Sequence, residues 1–250
     1  MLPNEKVQAD YWRSTHSQPR WRLPSRLNVG TNNLLRIISG HARQGMRVLE
    51  IGCAPGKFLA YLAQVQKASV CGLDYSEPGV AFSRELFSKL NLSGEIRCEN
   101  IFTTTFPEAS FDLVYSLGVI EHFDDARTIV EKHLFLTKPG GSVVITIPNF
   151  GGIYGRIERH FSPELLNMHN LQLMNCQALV QLMPERAACV ATAYRSGRLS
   201  PWILNFEKKW PATLAKATSY ALNALGLVQP FDIGPLCPLL VLMMKKSAVS

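Results

Sequence analysis

The chain has 250 residues, 47% of them hydrophobic and 18% charged, with 12 Phe, 7 Tyr and 4 Trp. This fits one large domain, or a domain with a lid, and excludes a disordered chain; 17 Gly and 15 Pro exclude collagen-like and low-complexity sequence. The formal net charge of +7 favours anionic partners in general without naming one. Much of the excess sits in Arg13, Arg20, Arg22, Arg26, Arg36, Arg43 and Arg47, where a solvated basic face is the simplest reading.

The first 22 residues contain no apolar h-region, so no secretory signal is expected. Residues 1–30, with Trp12 and Trp21, read as an N-terminal helical lid on a domain spanning residues 31–250. Six cysteines occur without a CxxC pair or zinc spacing, and read as small buried hydrophobes in a reducing, cytoplasmic setting. Met46 to Ile51 is a buried-strand run, followed by the loop Gly52 to Gly56 and a helix from Lys57 to Gln66. Ala68 to Asp74 is the next strand. Ser76-Glu77-Pro78 starts a helix that runs to Leu90, with a cap-type residue and then an acid and a proline in the first turn. Gly94 to Cys98 and Phe111 to Ser116 are strands, Asp124 to Thr137 a helix, Lys138 to Gly141 a stop and turn, and Ser142 to Pro148 a strand. Beyond it, Asn175 to Met183 and Pro211 to Leu227 read as helical, and Ala187 to Arg195 and Leu236 to Lys245 as strands. The apolar stretches near Ala221 to Val228 and Pro235 to Met244 are too short or interrupted to span a bilayer. Strands alternating with helices in this rhythm predict a parallel sheet covered on both faces.

The run Val48 to Phe58, V-L-E-I-G-C-A-P-G-K-F, is a strand ending in a glycine-bearing loop that opens a helix. It lacks the four-residue spacing and the hydroxyl residue of a phosphate-binding P-loop. It also lacks the middle glycine of a dinucleotide fingerprint, because Ala54 stands there. Glu50, two residues before the loop, would repel a pyrophosphate and suit a cationic cofactor instead. Glu50, Gly52 and Gly56, with Asp74 at the end of the second strand, Asn100-Ile101, Glu121-His122 and Pro139-Gly140-Gly141, together resemble the ordered motifs of the class I S-adenosylmethionine-dependent methyltransferases. The resemblance covers Arg47 to Pro148 and includes the ubiquinone O-methyltransferase-like, small-molecule branch.

The resemblance implies a Rossmann-like, doubly wound, seven-stranded, mostly parallel α/β sheet, with acceptor-side insertions at about 149–174 and 196–235. It implies S-adenosylmethionine as cofactor; no metal is expected, because no Asp/Glu/His cluster of catechol-methyltransferase character stands in the acceptor-side loops. The loop residues Gly52, Cys53, Ala54 and Gly56 would contact the cofactor beside Glu50, and Asp74 would bind the ribose hydroxyls. Tyr75 would stack on or edge the adenosine, Asn100 and Ile101 would flank the adenine, and the backbone of Ser116 and Leu117 would line the methionine side. Alternatives from the residues themselves are a helix cap at Asp74, lid packing at Tyr75 and plain core at Ile101. His122 and His169 are the candidates for a general base, with His169 placed on the acceptor side; structural histidines are the alternative for both. The aromatic insertions suit a small, partly apolar acceptor: a secondary metabolite, quinone precursor or lipid. No nucleic-acid module is visible. A non-catalytic cofactor-binding module, a protein methyltransferase and a membrane-peripheral enzyme using Trp202 to Val228 stay open as alternatives.

Overall fold

The computed structural model describes residues 22–184 and 188–248. Most of the expected N-terminal lid, with Trp12 and Trp21, lies outside the described residues. The described chain runs α1 (Val29–His41), β1 (Arg47–Ile51), α2 (Lys57–Val65), β2 (Ser69–Asp74), α3 (Glu77–Lys89), β3 (Glu95–Cys98) and β4 (Phe111–Leu117). A 3-10 turn (Ile120–His122), α4 (Ala126–Leu136) and β5 (Thr137–Pro148) follow. The last part holds α5 (Ile153–Phe161), α6 (Pro163–Asn167), α7 (Cys176–Gln181), β6 (Cys189–Ser196), α8 (Ala212–Val228) and β7 (Leu239–Lys246).

The seven strands form one sheet in the order β3-β2-β1-β4-β5-β7-β6. The first five are parallel, and β7 runs antiparallel to both its neighbours. The continuous apolar run of β1 follows from burial on both faces. Val48 joins the cluster with Leu35, Ile38, Leu59 and Leu62, while the next residue, Leu49, joins Cys71, Leu73 and Val114 on the opposite face. The helix starts are set locally. Ser76 accepts from the Gly79 amide and Asp125 from the Thr128 amide, each satisfying an otherwise orphaned donor in the first turn.

Lys138 to Gly141 do not stop the chain before the fifth strand, as the sequence suggests. β5 begins at Thr137 opposite Phe111, and pairing resumes with Ser142 opposite Leu113, so the intervening residues form a bulge. Gly140 makes this feasible at φ +72°, a conformation costly for a side chain carrying Cβ.

The two segments flanking α7 and β6 pack on each other. Phe206 stacks on Trp210 with centroids 5.2 Å apart, and Phe161 meets both edge-on. Buried Glu158 accepts from the Asn205 amide and side chain. Along α8 only Ala215 and Gly226 are buried and Lys216 is the one charged residue, while Leu214, Tyr220, Leu225 and Val228 are exposed. Among the described residues no helix is long and apolar enough to cross a membrane.

Candidate active site

The strand order reverses between β1 and β4, and their carboxyl ends diverge there. Open α/β sheets bind ligands at such a point. A pocket lies at this place. Its walls are Ile51, Gly52 and Ala54 from the end of β1, Leu73, Asp74 and Tyr75 from the end of β2, and Glu99 and Ile101 after β3. Leu117, Gly118, Val119, His122 and Phe123 close it after β4.

The two loop glycines do different work. Gly52 sits at φ +72°, its N–H donates to the Leu73 carbonyl at 2.9 Å, and a Cβ there would meet Val119 Cγ2 at 2.7 Å. Gly52 therefore keeps the pocket floor open against its opposite wall. Gly56 at φ +82° precedes α2, and a Cβ there would lie 2.9 Å from Ser83 Cβ, so its smallness serves the packing of α2 against α3. This packing gives Gly56 a role between helices beside the close approach to a ligand expected from the sequence.

Asp74 organises the site from below. Its Oδ2 accepts from the Ala54 amide at 3.1 Å and its Oδ1 from the Ser76 amide at 2.9 Å, which ties the β1 loop to the start of α3. The carboxylate also lines the pocket, so the cap and ligand readings of this residue are compatible.

Of the expected residues, Gly52, Ala54, Asp74, Tyr75, Ile101, Leu117 and His122 stand in the pocket wall; Glu50, Cys53, Gly56, Asn100, Ser116 and His169 do not. Alternation along β1 turns Glu50 into the core, where the Tyr115 hydroxyl donates to it at 2.9 Å. Burial pushes the Glu50 carboxyl up to about 8, opposed by the Tyr115 bond and Lys57 and reinforced by Asp74. The Cys53 thiol lies over Gly72, and burial pushes its pKa up. Asn100 Oδ1 accepts from the Phe102 amide at 2.9 Å, which closes its own turn and leaves the oxygen's second lone pair for another donor. Its neighbour Glu99 faces the pocket. Burial works to raise the Glu99 pKa, but hydrogen bonds from Thr104 and Thr105 outweigh it and hold the carboxyl below its usual range. The Ser116 hydroxyl bonds His133 Nε2 at 3.0 Å, and His133 Nδ1 donates to the Ile129 carbonyl, which makes this pair structural.

The two candidate bases are neighbours, with ring centroids 4.8 Å apart. His122, not His169, reaches the pocket wall; His169 stands behind it against Phe150. Burial, helped by His169, lowers the His122 pKa to about 4, and burial also lowers that of His169. Nothing in the sequence marks Glu121 as more than half of the Glu-His pair. It is 1% exposed, burial pushes its carboxyl up to about 8, and its Oε2 has no hydrogen-bond partner. Donor atoms of Glu121, His122 and His169 all lie within 4.8 Å of one another.

Residues 49–145 match the family model described as a methyltransferase domain. Phosphoethanolamine N-methyltransferase 1 of Arabidopsis thaliana is 32% identical over 104 residues, covering 42% of this chain and 21% of that protein. O-methyltransferase cnsE of Penicillium expansum is 28% identical over 144 residues, covering 54% of this chain and 52% of that one. The chain thus spans between about a fifth and a half of the length of these relatives. In structure it is similar to phosphoethanolamine N-methyltransferase 2 of Haemonchus contortus, with a TM-score of 0.59 at 16% identity over 88% of this chain and 53% of that one. The strand order around these residues is that of the class I S-adenosylmethionine-dependent methyltransferase fold. S-adenosylmethionine is the cofactor of that class.

Proposed function

We propose that this chain moves a methyl group from S-adenosylmethionine to an oxygen or nitrogen of a small molecule, such as a secondary metabolite, quinone precursor or lipid-like acceptor. The observation that carries the reading is the pocket at the β1–β4 switch point, with the Gly52 loop on one side and the Asp74 carboxylate on the other. This wall fits the cofactor. Asp74 offers an anionic acceptor for ribose hydroxyls, Leu73 and Ile101 offer apolar faces for a base, and the side-chain-free Gly52 and Gly118 let backbone approach the ligand. When bound, S-adenosylmethionine supplies a methyl group on a sulfonium that is open to in-line attack. The chain's own work is positioning, which in favourable cases is worth about 7–11 kcal/mol. His122 stands on the wall, and because burial, helped by His169, lowers its pKa to about 4, its ring stays neutral and serves to position the acceptor rather than to take up its proton. The relatives include an N-methyltransferase and an O-methyltransferase, which supports nitrogen or oxygen as the acceptor atom.

Incubating the full chain with methyl-labelled S-adenosylmethionine and a panel of hydroxylated and amine-bearing small molecules tests the reading. Label in at least one small molecule is the expected result. Tight cofactor binding with no transfer to any small molecule or protein would instead mark a non-catalytic module. A second reading, in which the enzyme also rests on a membrane, draws on α8, whose exposed Leu214, Tyr220, Leu225 and Val228 accompany a single charged residue, Lys216. Co-sedimentation with anionic vesicles tests it, and recovery of all the protein in the supernatant refutes it.

A further inference from the structure

We propose that Glu121, His122 and His169 form a divalent-cation site of the two-histidine, one-carboxylate type against the acceptor side of the pocket. The three side chains come from two segments. Glu121 and His122 lie on the 3-10 turn after β4, and His169 follows α6. The backbone joins these segments tightly: the Asn170 amide donates to the Glu121 carbonyl at 2.6 Å, and the Asn170 side chain donates to the Phe123 carbonyl at 3.2 Å.

The imidazoles are oriented as metal ligands are. His122 Nδ1 faces the Met168 carbonyl at 3.0 Å, and His169 Nδ1 faces the Leu165 carbonyl at 2.7 Å. A carbonyl oxygen only accepts, so each Nδ1 carries the proton and each Nε2 carries the lone pair. Backbone carbonyls fix ring and tautomer in this way around bound metals. Glu121 supplies the second, independent sign. Its carboxyl is buried and Oε2 has no hydrogen-bond partner, an arrangement that costs free energy unless something else satisfies the oxygen. A cation does so directly. Bonds of about 2.0–2.2 Å would draw the donors from within 4.8 Å of one another to roughly 3–4 Å, a matter of side-chain rotation. Two nitrogens and one oxygen suit Zn²⁺, Fe²⁺ or Co²⁺ better than the all-oxygen preference of Ca²⁺ or Mg²⁺. Since His122 also lines the pocket, remaining coordination positions would face the acceptor; this last step rests on the methyltransferase reading.

The test is cobalt binding by the full chain after removal of metals with a chelator, read by visible absorption and equilibrium dialysis with no acceptor present. Failure of methyl transfer therefore leaves its result intact. One Co²⁺ per chain is expected, with d–d bands of a low-coordinate nitrogen/oxygen site that added Zn²⁺ abolishes. Glu121→Gln and His169→Gln should each weaken binding at least tenfold, and His160→Gln, at an exposed histidine, should leave it unchanged. If either ligand variant fails to fold, the wild-type and His160→Gln spectra decide. A spectrum like that of aqueous cobalt, less than one ion per chain at saturation, or full binding by folded Glu121→Gln overturns the proposal.

Discussion

Replacing Asp74 with Asn perturbs the pocket with little change in volume. In the folded chain the Asp74 carboxylate accepts from the Ala54 and Ser76 amides, and it faces the pocket where ribose hydroxyls would sit. Hydrogen bonds to a charged group are worth about 1.5–3 kcal/mol each. Asp74→Ala would lose both ribose bonds, about 3–6 kcal/mol or roughly 10²–10⁴-fold in affinity, but would also leave two loop amides unsatisfied. Asp74→Asn keeps one acceptor oxygen and turns a donor toward the other partner. It should lose about 1.5–3 kcal/mol of cofactor affinity, roughly 10–100-fold, with a melting temperature lower by several degrees. Calorimetric titration with S-adenosylmethionine and S-adenosylhomocysteine, beside a thermal melt, measures both. Affinity within twofold of wild type in a folded Asp74→Asn protein would refute the role given to this carboxylate.

The two loop glycines should separate by assay. Gly52→Ala, whose Cβ would press on Val119, should weaken cofactor binding at least tenfold, whereas Gly56→Ala, pressing on Ser83, should lower the melting temperature first. Titration and melting of both variants check this, and a stable Gly56→Ala with normal melting would remove the packing argument. Glu50 makes a prediction in pH. Burial, against the Tyr115 bond, raises its folded-state pKa from 4.5 to about 8, so its contribution to stability is complete below about pH 4.5 and is lost as pH rises through about 8. Glu121 titrates in the same window, so Glu50→Gln should remove only part of the fall in melting temperature between pH 5 and pH 8.5; a fall as steep as in wild type would contradict the buried-acid account. Ser116→Ala should destabilise the fold by about 1 kcal/mol, through loss of its bond to His133, without altering cofactor affinity. A titration showing a marked loss of affinity would contradict the purely structural role of the Ser116 hydroxyl.

Strands β1, β2, β4 and β5 are legible because each holds an apolar run closed by a glycine, cap or proline signal, and burial on both faces leaves no other use for such runs, whereas the edge strand β3 buries only Ile96. Lys138 to Gly141 carry the strongest local turn signal yet lie within β5, because pairing with β4 at Thr137 and again from Ser142 holds the strand across a bulge. The pocket wall is only half legible. Asp74 and Ile101 follow from strand ends, but strand alternation turns Glu50 inward, and the bond by which Asn100 closes its turn is not encoded in any spacing. Val119, Phe123 and Glu99 carry no motif; only folding brings them to the wall. Glu121 and His169 are 48 positions apart, and their meeting depends on where α6 packs, which a single sequence does not encode in any short spacing.

Titration of the full chain with S-adenosylmethionine, then with NAD, tests the central claim most directly. One site per chain for S-adenosylmethionine, displaced by S-adenosylhomocysteine, weakened in Gly52→Ala and indifferent to NAD, is the predicted result. No binding at millimolar S-adenosylmethionine, or preference for NAD, would contradict the assignment of the pocket at the ends of β1, β2 and β4.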